Sequence, residues 1–230
     1  MIFADIIESS VIDYPGKMAA VVFTGGCNFA CPSCHNPQLV EFSGPGRVDG
    51  EGVLSLLESR KGFLDALVVT GGEPTLHAGL PDFLARVKAL GMAVKLDTNG
   101  SRPGVLSRVL SAGLVDRVAM DVKTWPEDYP ATVAPRVDPE AIRESIRLIK
   151  ESGLDHEFRT TCSPDVVDGR IVAALGPLLS GAKKWVFQTF RDQRVLSPET
   201  FTRIRKRFTD RDLAGFAALA ARWVEKTEAR

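Results

Sequence analysis

The sequence shows no excess of charge of either sign, because 29 Lys and Arg residues balance 29 Asp and Glu residues among its 230 positions. A global basic field that would draw nucleic acid is missing, so we predict no nucleic-acid substrate. Long apolar runs are missing too, since no stretch approaches the roughly 20 apolar residues of a membrane-spanning helix. The N-terminal segment has no basic leader followed by a long apolar core, and the sequence therefore predicts a cytoplasmic protein without a membrane partner.

Cysteine is scarce, with four residues in the whole chain, and three of them stand together as Cys27, Cys31 and Cys34 in the run C-N-F-A-C-P-S-C-H. Three clustered thiols cannot pair off as disulfides, and in a cytosolic protein such a group usually binds a metal. Three ligands suit an iron–sulfur cluster that keeps one iron open, whereas a structural zinc site normally has four. Only Cys162 is left over, so a second cluster with its own cysteine ligands is excluded.

Other interpretations of these cysteines stay open at this point. His35 could act as the fourth ligand of a zinc site, although its position directly after Cys34 makes a tetrahedron around one ion awkward. The three thiols could also be incidental buried residues. Cys162 ends a predicted strand, where a small core residue is the favoured interpretation.

A second motif follows the cysteines, T-G-G-E-P at 70–74, and the two motifs in this order resemble those of the radical S-adenosylmethionine (SAM) enzymes. With D-T-N-G at 97–100 and D-V-K at 121–123, the chain resembles in particular the activating enzymes of glycyl-radical enzymes, above all that of the anaerobic ribonucleoside-triphosphate reductase. The resemblance covers about residues 12–191. It departs from the family pattern at Ser33, where an aromatic residue is usual, and at Ala30, where a basic residue is frequent.

The resemblance implies a [4Fe–4S] cluster on Cys27, Cys31 and Cys34 that binds SAM and, once reduced, cleaves it to methionine and a 5′-deoxyadenosyl radical. The implied target is a glycine of a partner glycyl-radical enzyme, and the implied electron donor is a flavodoxin or a ferredoxin. The cofactor carries the difficult chemistry, so no further catalytic side chain is expected. Two alternatives remain: a radical enzyme acting on a small molecule, such as a 7-deazaguanine-type ring-forming synthase, and a non-catalytic metal-binding protein or electron carrier.

Strand and helix patterns alternate six times along the chain, which predicts an α/β fold with parallel strands and right-handed crossovers. The predicted strands are 17–24, 66–70, 93–97, 117–123, 157–162 and 184–190, and the predicted helices are 48–60, 80–90, 105–112, 139–152, 169–179, 198–207 and 210–227. Residues 125–139, with four prolines, are predicted to form a long loop. We expect a single domain over residues 1–230, with its core at about 12–191 and closing helices at 198–227.

The two faces of the later strands differ in polarity. Lys95 and Asp97 share one face of their strand, and the following strands carry Asp121, Lys123, Glu157, Arg159 and Gln188 in the same alternating way. A doubly wound sheet is covered by helices on both faces and would be apolar on both. The charged face therefore favours strands that line a polar cavity, as in a partial (β/α)6 barrel, which the family resemblance also implies.

Every motif falls at the carboxyl end of a predicted strand, where barrel enzymes place their active sites. The glycines at 71 and 72 leave the backbone bare, so that its amides and carbonyls can meet a ligand edge-on. Asp97 is a candidate acceptor for ribose hydroxyls and Lys123 a candidate cation for a carboxylate. The predicted cofactor-binding residues are Gly71, Gly72, Glu73, Asp97, Thr98, Asp121, Lys123, Arg159 and Gln188.

Some of these residues have a structural alternative. Asp121 could simply pair with Lys95 or with Arg159, since buried charges need partners. His35 could face the glycine of a partner or make an ordinary structural hydrogen bond.

Overall fold

The computed structural model describes residues 1–133, 135–191, 195–197 and 207–230. The chain forms two compact units. Unit 1 contains Met1–Asn28, Gln38–Thr98 and Gly104–Val118, and unit 2 contains Phe29–Pro37, Asn99–Pro103 and Ala119–Arg230. The expectation that the whole chain acts as a single domain stays a prediction.

Unit 1 is built mainly on parallel strands with helices between them. Its strands are β1 (Ile2–Phe3), β2 (Asp5–Ser10), β3 (Ala19–Thr24), β4 (Val48–Asp49), β5 (Ala66–Gly71) and β6 (Ala93–Thr98). Its helices are α1 (Gly50–Ser59), α2 (Leu80–Ala89) and α3 (Pro103–Ser111). Only the first residue of α3, Pro103, belongs to unit 2. β3, β5 and β6 pair in parallel, whereas β2 pairs with β3, and β1 with β4, in antiparallel fashion.

The sequence explains why these elements form. β3 and β5 are continuous apolar runs rich in β-branched valine, which favours extended backbone and is typical of parallel strands buried on both faces. Val21 and Val68 are partners in the parallel register, and both are buried. α2 repeats its apolar residues at helical spacing, and the buried ones are Leu80, Phe83, Leu84 and Val87.

Unit 2 repeats the same arrangement. β7 (Arg117–Asp121) begins in unit 1 and ends in unit 2, and it is followed by α4 (Tyr129–Thr132), α5 (Pro139–Glu151), β8 (Asp155–Cys162), α6 (Gly169–Leu179), β9 (Lys184–Thr189), α7 (Asp210–Ala220) and β10 (Lys226–Ala229). β8, β9 and β10 pair in parallel. The N–H of Val122, directly after β7, donates to the carbonyl of Arg159 in β8 at 2.8 Å.

Most of the predicted elements are confirmed. The six predicted strands and the first five predicted helices are present, each within two residues of its predicted ends. The α/β class with parallel strands is therefore correct. Of the predicted helix at 198–207, residues 198–206 lie outside the described residues. Within the described ranges, every helix falls short of the length and apolar character that a bilayer crossing requires.

Two predictions of secondary structure are wrong. Residues 125–139 are not a continuous loop, because they contain a helical turn at Pro126–Asp128 and the short helix α4. The last helix does not reach residue 227 but ends at Ala220, and the chain continues as β10. β10 hydrogen-bonds along β9, and Glu228 forms an ion pair with Lys184 at 2.5 Å, so tertiary pairing overrides the local helical pattern.

Candidate functional site

The first ligand candidate, Cys27, lies in unit 1 just after β3. Two backbone hydrogen bonds fix this stretch: the N–H of Gly26 donates to the carbonyl of Leu39 at 2.7 Å, and the N–H of Cys27 donates to the carbonyl of Val40 at 3.1 Å. His77 adds a third tie, because its Nε2 lies 2.9 Å from the carbonyl oxygen of Gly25. The backbone that leads into Cys27 is therefore held by contacts within unit 1. No motif in the sequence pointed to this role of His77.

The glycines of T-G-G-E-P are required by close backbone packing in unit 1. Gly71 has a φ of 117°, and a Cβ on Gly72 would lie 2.0 Å from the carbonyl oxygen of Gly26. The N–H of Gly72 donates to the carbonyl of Thr24, and the N–H of Glu73 to that of Gly26, both at 2.8 Å. The expectation that this stretch offers amides to a ligand is therefore corrected for these two groups, which donate within the protein.

Glu73 is a buried carboxylate at the end of the same motif, with no exposed surface. Its Oε1 accepts hydrogen bonds from the N–H of Thr75 at 3.0 Å and from the hydroxyl of Thr98 at 2.8 Å. The first of these bonds caps the helical turn at Pro74–Leu76. Two predicted cofactor-binding residues, Glu73 and Thr98, are thus joined to each other, and their bond connects the ends of β5 and β6.

Asp97 and Lys95 form an ion pair on β6, with Nζ 2.6 Å from Oδ1. Both side chains are largely buried, with 4% of Lys95 and 12% of Asp97 exposed. The two residues lie on one face of the strand, as the alternating pattern predicts. Lys95 is thus a partner of Asp97 within unit 1.

The other two ligand candidates belong to unit 2. Cys31 is buried and Cys34 is half-buried, and the N–H of Cys34 donates to the carbonyl of Cys31 at 2.9 Å, which closes a turn between them. All four cysteines of the chain are described, and none forms a disulfide. In the part of the chain that the structure describes, no three His, Cys, Asp or Glu side chains are gathered closely enough to hold a metal ion.

The donor chemistry around Cys31 fits an iron–sulfur cluster. Iron binds thiolates rather than thiols, and nearby cations favour the thiolate form. Lys123 interacts electrostatically with Cys31, so a positive charge stands beside this sulfur. Cys31, which interacts with this cation and forms no disulfide, therefore has donor chemistry that suits such a cluster, and Cys27 and Cys34 also form no disulfide.

Asp121, Lys123 and Arg159 form one charged network in unit 2, at the ends of β7 and β8. Nε of Arg159 lies 2.8 Å from Oδ1 of Asp121, and Nζ of Lys123 lies 2.8 Å from Oδ2. Burial opposes ionisation of Asp121, but the charges of Arg159 and Lys123 outweigh it and hold the pKa of Asp121 well below its usual range. Burial also opposes the charged form of Lys123, yet Asp121 and Cys31 raise the pKa of Lys123 above its usual value.

The pairing of Asp121 with Arg159 was the structural alternative for this aspartate, and it is observed. Two cations share one carboxylate, however, so the three side chains together carry one net positive charge. Such a network favours a second anion nearby, and an amino-acid carboxylate has suitable charge and geometry.

Replacing Asp121 with Asn leaves two neighbouring cations without their counter-charge. We expect the free energy of unfolding to fall by about 1–3 kcal/mol at neutral pH. Because the pKa of Asp121 is lowered by folding, its contribution is complete above the ordinary aspartate pKa of about 3.9 and is lost as the pH falls below it. Urea unfolding of cofactor-free protein should show a constant difference between wild type and Asp121→Asn at pH 5–8 and a shrinking one below about pH 4. A difference that grows on acidification contradicts this assignment.

Gln188 lines a cavity of about 450 Å³ in unit 2. The other lining residues that the structure describes are His35, Thr161, Thr189, Arg191 and Arg230. His35 has its Nε2 2.9 Å from the carbonyl oxygen of Arg191, and its ring stacks on Phe190. The structural hydrogen bond expected as one alternative for His35 is thus present, and the ring also forms part of the cavity wall.

Cys162 lies at the end of β8 and is 1% exposed. Burial raises the pKa of its thiol to about 12, so this sulfur stays protonated at neutral pH. The interpretation of Cys162 as a small core residue is consistent with this environment.

The family model described as the radical SAM superfamily matches residues 21–175 of the chain. A protein of Methanocaldococcus jannaschii named as a glycyl-radical enzyme activating enzyme is 34% identical over 199 residues, which cover 84% of this chain and 82% of that protein. A protein of Halobacterium salinarum named as a GTP 3′,8-cyclase is 31% identical over 141 residues, or 58% of this chain and 39% of that protein.

Among solved structures, SuiB of Streptococcus suis bound to the precursor peptide SuiA matches with a TM-score of 0.70 at 11% identity. The match covers 91% of this chain and 48% of SuiB, so the chain spans about half the length of that protein. At this level of identity the likeness concerns the fold alone, and it confirms the predicted fold class.

Proposed function

Because the chain belongs to the radical SAM superfamily, we propose that it is the activating enzyme of a glycyl-radical enzyme, with an anaerobic ribonucleoside-triphosphate reductase as its partner. The likeness to the M. jannaschii protein named as an activating enzyme carries this proposal, since it extends over most of both chains. The motifs T-G-G-E-P, D-T-N-G and D-V-K support the same assignment. A cytoplasmic location and a flavodoxin or ferredoxin as electron donor complete the proposal.

Members of this superfamily bind a [4Fe–4S] cluster and SAM, and the reduced cluster supplies the electron that splits SAM into methionine and a 5′-deoxyadenosyl radical. In this chain, Cys27, Cys31 and Cys34 are the proposed cluster ligands. Backbone hydrogen bonds of Cys27 and Cys34 hold the main chain at two of these positions. The cofactors predicted from the sequence are those of the family.

The remaining site residues are proposed to orient SAM. Lys123 and Arg159, which together outweigh the charge of Asp121, attract the methionyl carboxylate. The backbone carbonyls of Gly71 and Gly72 accept hydrogen bonds from the methionyl ammonium group. Asp97 accepts hydrogen bonds from ribose hydroxyls.

Three further residues are proposed to support these contacts. The side chains of Glu73 and Thr98, which are hydrogen-bonded to each other, hold the ends of β5 and β6 in place. Gln188 binds SAM from the cavity that it lines. The radical then takes a hydrogen atom from the glycine Cα of the partner, which leaves 5′-deoxyadenosine and a glycyl radical.

A second candidate is a radical enzyme that acts on a small molecule, such as a ring-forming synthase of the 7-deazaguanine type. The relative named as a GTP 3′,8-cyclase and the polar cavity of about 450 Å³ favour it. It has less support, because the alignment covers 39% of that relative. The third alternative, a non-catalytic metal-binding protein, shares the cysteines but predicts no SAM cleavage.

The test uses protein that is purified without oxygen and loaded with iron and sulfide. With SAM and a chemical reductant it should form 5′-deoxyadenosine, and with the reductase present an electron paramagnetic resonance spectrum should show a glycyl radical. The matched control is a reductase in which the target glycine is replaced by alanine, which should give 5′-deoxyadenosine without the radical signal. A protein that cleaves SAM but never produces the signal contradicts the proposed partner, and one that cannot cleave SAM contradicts both enzyme candidates.

A further inference from the structure

Tyr129 is the first residue of α4, in the segment whose structure the sequence did not predict. Its side chain is completely buried. The phenol oxygen accepts a hydrogen bond from the backbone N–H of Lys123 at 2.8 Å. The edge of the ring meets Phe29, with 5.8 Å between ring centroids and 74° between ring planes. One side chain therefore touches both the segment that carries Cys31 and the residue that carries the Lys123 cation.

A backbone contact beside Tyr129 strengthens this connection. The N–H of Ala30 donates to the carbonyl of Val133 at 2.8 Å, and the N–H of Val133 donates to the carbonyl of Tyr129 at 2.9 Å. Of the two residues before Cys31, Phe29 thus contacts Tyr129 through its ring, and Ala30 contacts Val133, the residue directly after α4, through its amide. A buried phenol fixed at both ends is a rigid spacer, since aromatic rings have few rotamers and their polar atom has a partner.

We propose that Tyr129 is a positioning residue that sets the place of Cys31 relative to Lys123. Its ring supports the Phe29–Cys31 backbone, on which retention of the cluster depends. Its hydroxyl fixes the main chain of Lys123, on which binding of the SAM carboxylate depends. The inference rests on the roles proposed above for Cys31 and Lys123 toward the cluster and SAM, and it is independent of which substrate the radical attacks.

Two substitutions separate these two roles. Tyr129→Phe keeps the ring and removes the hydrogen-bond acceptor, whereas Tyr129→Leu removes both the aromatic edge contact and the acceptor. The matched control is Tyr14→Phe, since Tyr14 is the other tyrosine of the chain and is also buried, packed in unit 1 against Val21 and Val68.

Each variant is loaded without oxygen, its iron and sulfide are counted per chain, and SAM binding to the loaded protein is measured by calorimetry. Tyr129→Phe should keep its iron and bind SAM about 3- to 10-fold more weakly. Tyr129→Leu should lose at least about half of its iron during gel filtration, because the segment before Cys31 loses its support. Tyr14→Phe should change neither quantity, even if its unfolding temperature falls.

A purely structural role would lower thermal stability and change iron and SAM affinity together, or change neither. Unchanged SAM affinity in Tyr129→Phe overturns the role of the hydroxyl, and full iron retention in a folded Tyr129→Leu overturns the role of the ring. If Tyr129→Leu fails to fold, Tyr129→Phe still decides the proposal, because SAM affinity can be measured on it alone.

Discussion

Replacing Cys31 with alanine is expected to lower the iron content of anaerobically loaded protein at least about tenfold and to abolish reductive cleavage of SAM. Two cysteines cannot hold a cubane cluster that already leaves one iron open, so the loss should not be partial. Iron and sulfide analysis, together with chromatographic detection of 5′-deoxyadenosine, measures both effects. The same outcome is expected for Cys27→Ala and Cys34→Ala.

The chain offers its own control for this experiment. Cys162→Ala removes a buried thiol outside the motif and should leave iron content and SAM cleavage unchanged, at a modest cost in stability. Equal iron loss in Cys162→Ala and Cys31→Ala would show that the effect comes from general damage rather than from a lost ligand. A Cys31→Ala protein that keeps its iron and its activity would refute the cluster assignment.

Replacing Gly72 with alanine is expected to be the most damaging change outside the cysteines. The new Cβ would lie 2.0 Å from the backbone oxygen of Gly26, and backbone cannot move aside as a flexible side chain can. Gly26 directly precedes Cys27, so the clash displaces the first of the proposed cluster ligands. We expect a loss of about 1–3 kcal/mol in the free energy of unfolding, together with weaker iron retention.

Gly215→Ala serves as the matched control for Gly72→Ala. Gly215 lies inside α7, and a Cβ there meets no atom within 4 Å. Alanine in a helix interior is favoured over glycine by about 0.5–1 kcal/mol, so this variant should be slightly more stable and keep its iron. Urea unfolding and iron analysis of the two variants side by side separate a steric effect from a general effect of the substitution. Normal iron retention in a clearly folded Gly72→Ala would contradict the role given to the backbone contact.

Most of the secondary structure could be predicted because its signals are local. Valine-rich runs mark β3 and β5, and apolar residues at helical spacing mark α2, so periodicity alone locates them. β10 could not be predicted in this way, since Lys226–Ala229 becomes a strand only by pairing with β9. A local pattern carries no information about a partner some 40 positions earlier in the chain.

For the candidate site, the sequence predicts candidate residues but not the contacts between them. The motifs select the candidate residues, because glycine pairs and clustered thiols are unusual in composition and spacing. They do not show which side chains pair with each other. Glu73 pairs with Thr98, and Lys95 with Asp97, and these contacts depend on the folded geometry. Tyr129 was missed for the same reason, since its contact with Phe29 joins positions 100 residues apart.

The members of the Asp121 charge network differ in how strongly the stability of the fold depends on them. Losing Lys123 leaves Asp121 and Arg159 as a balanced ion pair, so the folded chain should tolerate that loss even though the proposed contact between Lys123 and SAM is removed. Losing Asp121 leaves two like charges facing each other, which harms the fold itself. Natural variation and laboratory evolution can therefore explore position 123 for altered cofactor affinity, whereas position 121 can change only together with one of its neighbours.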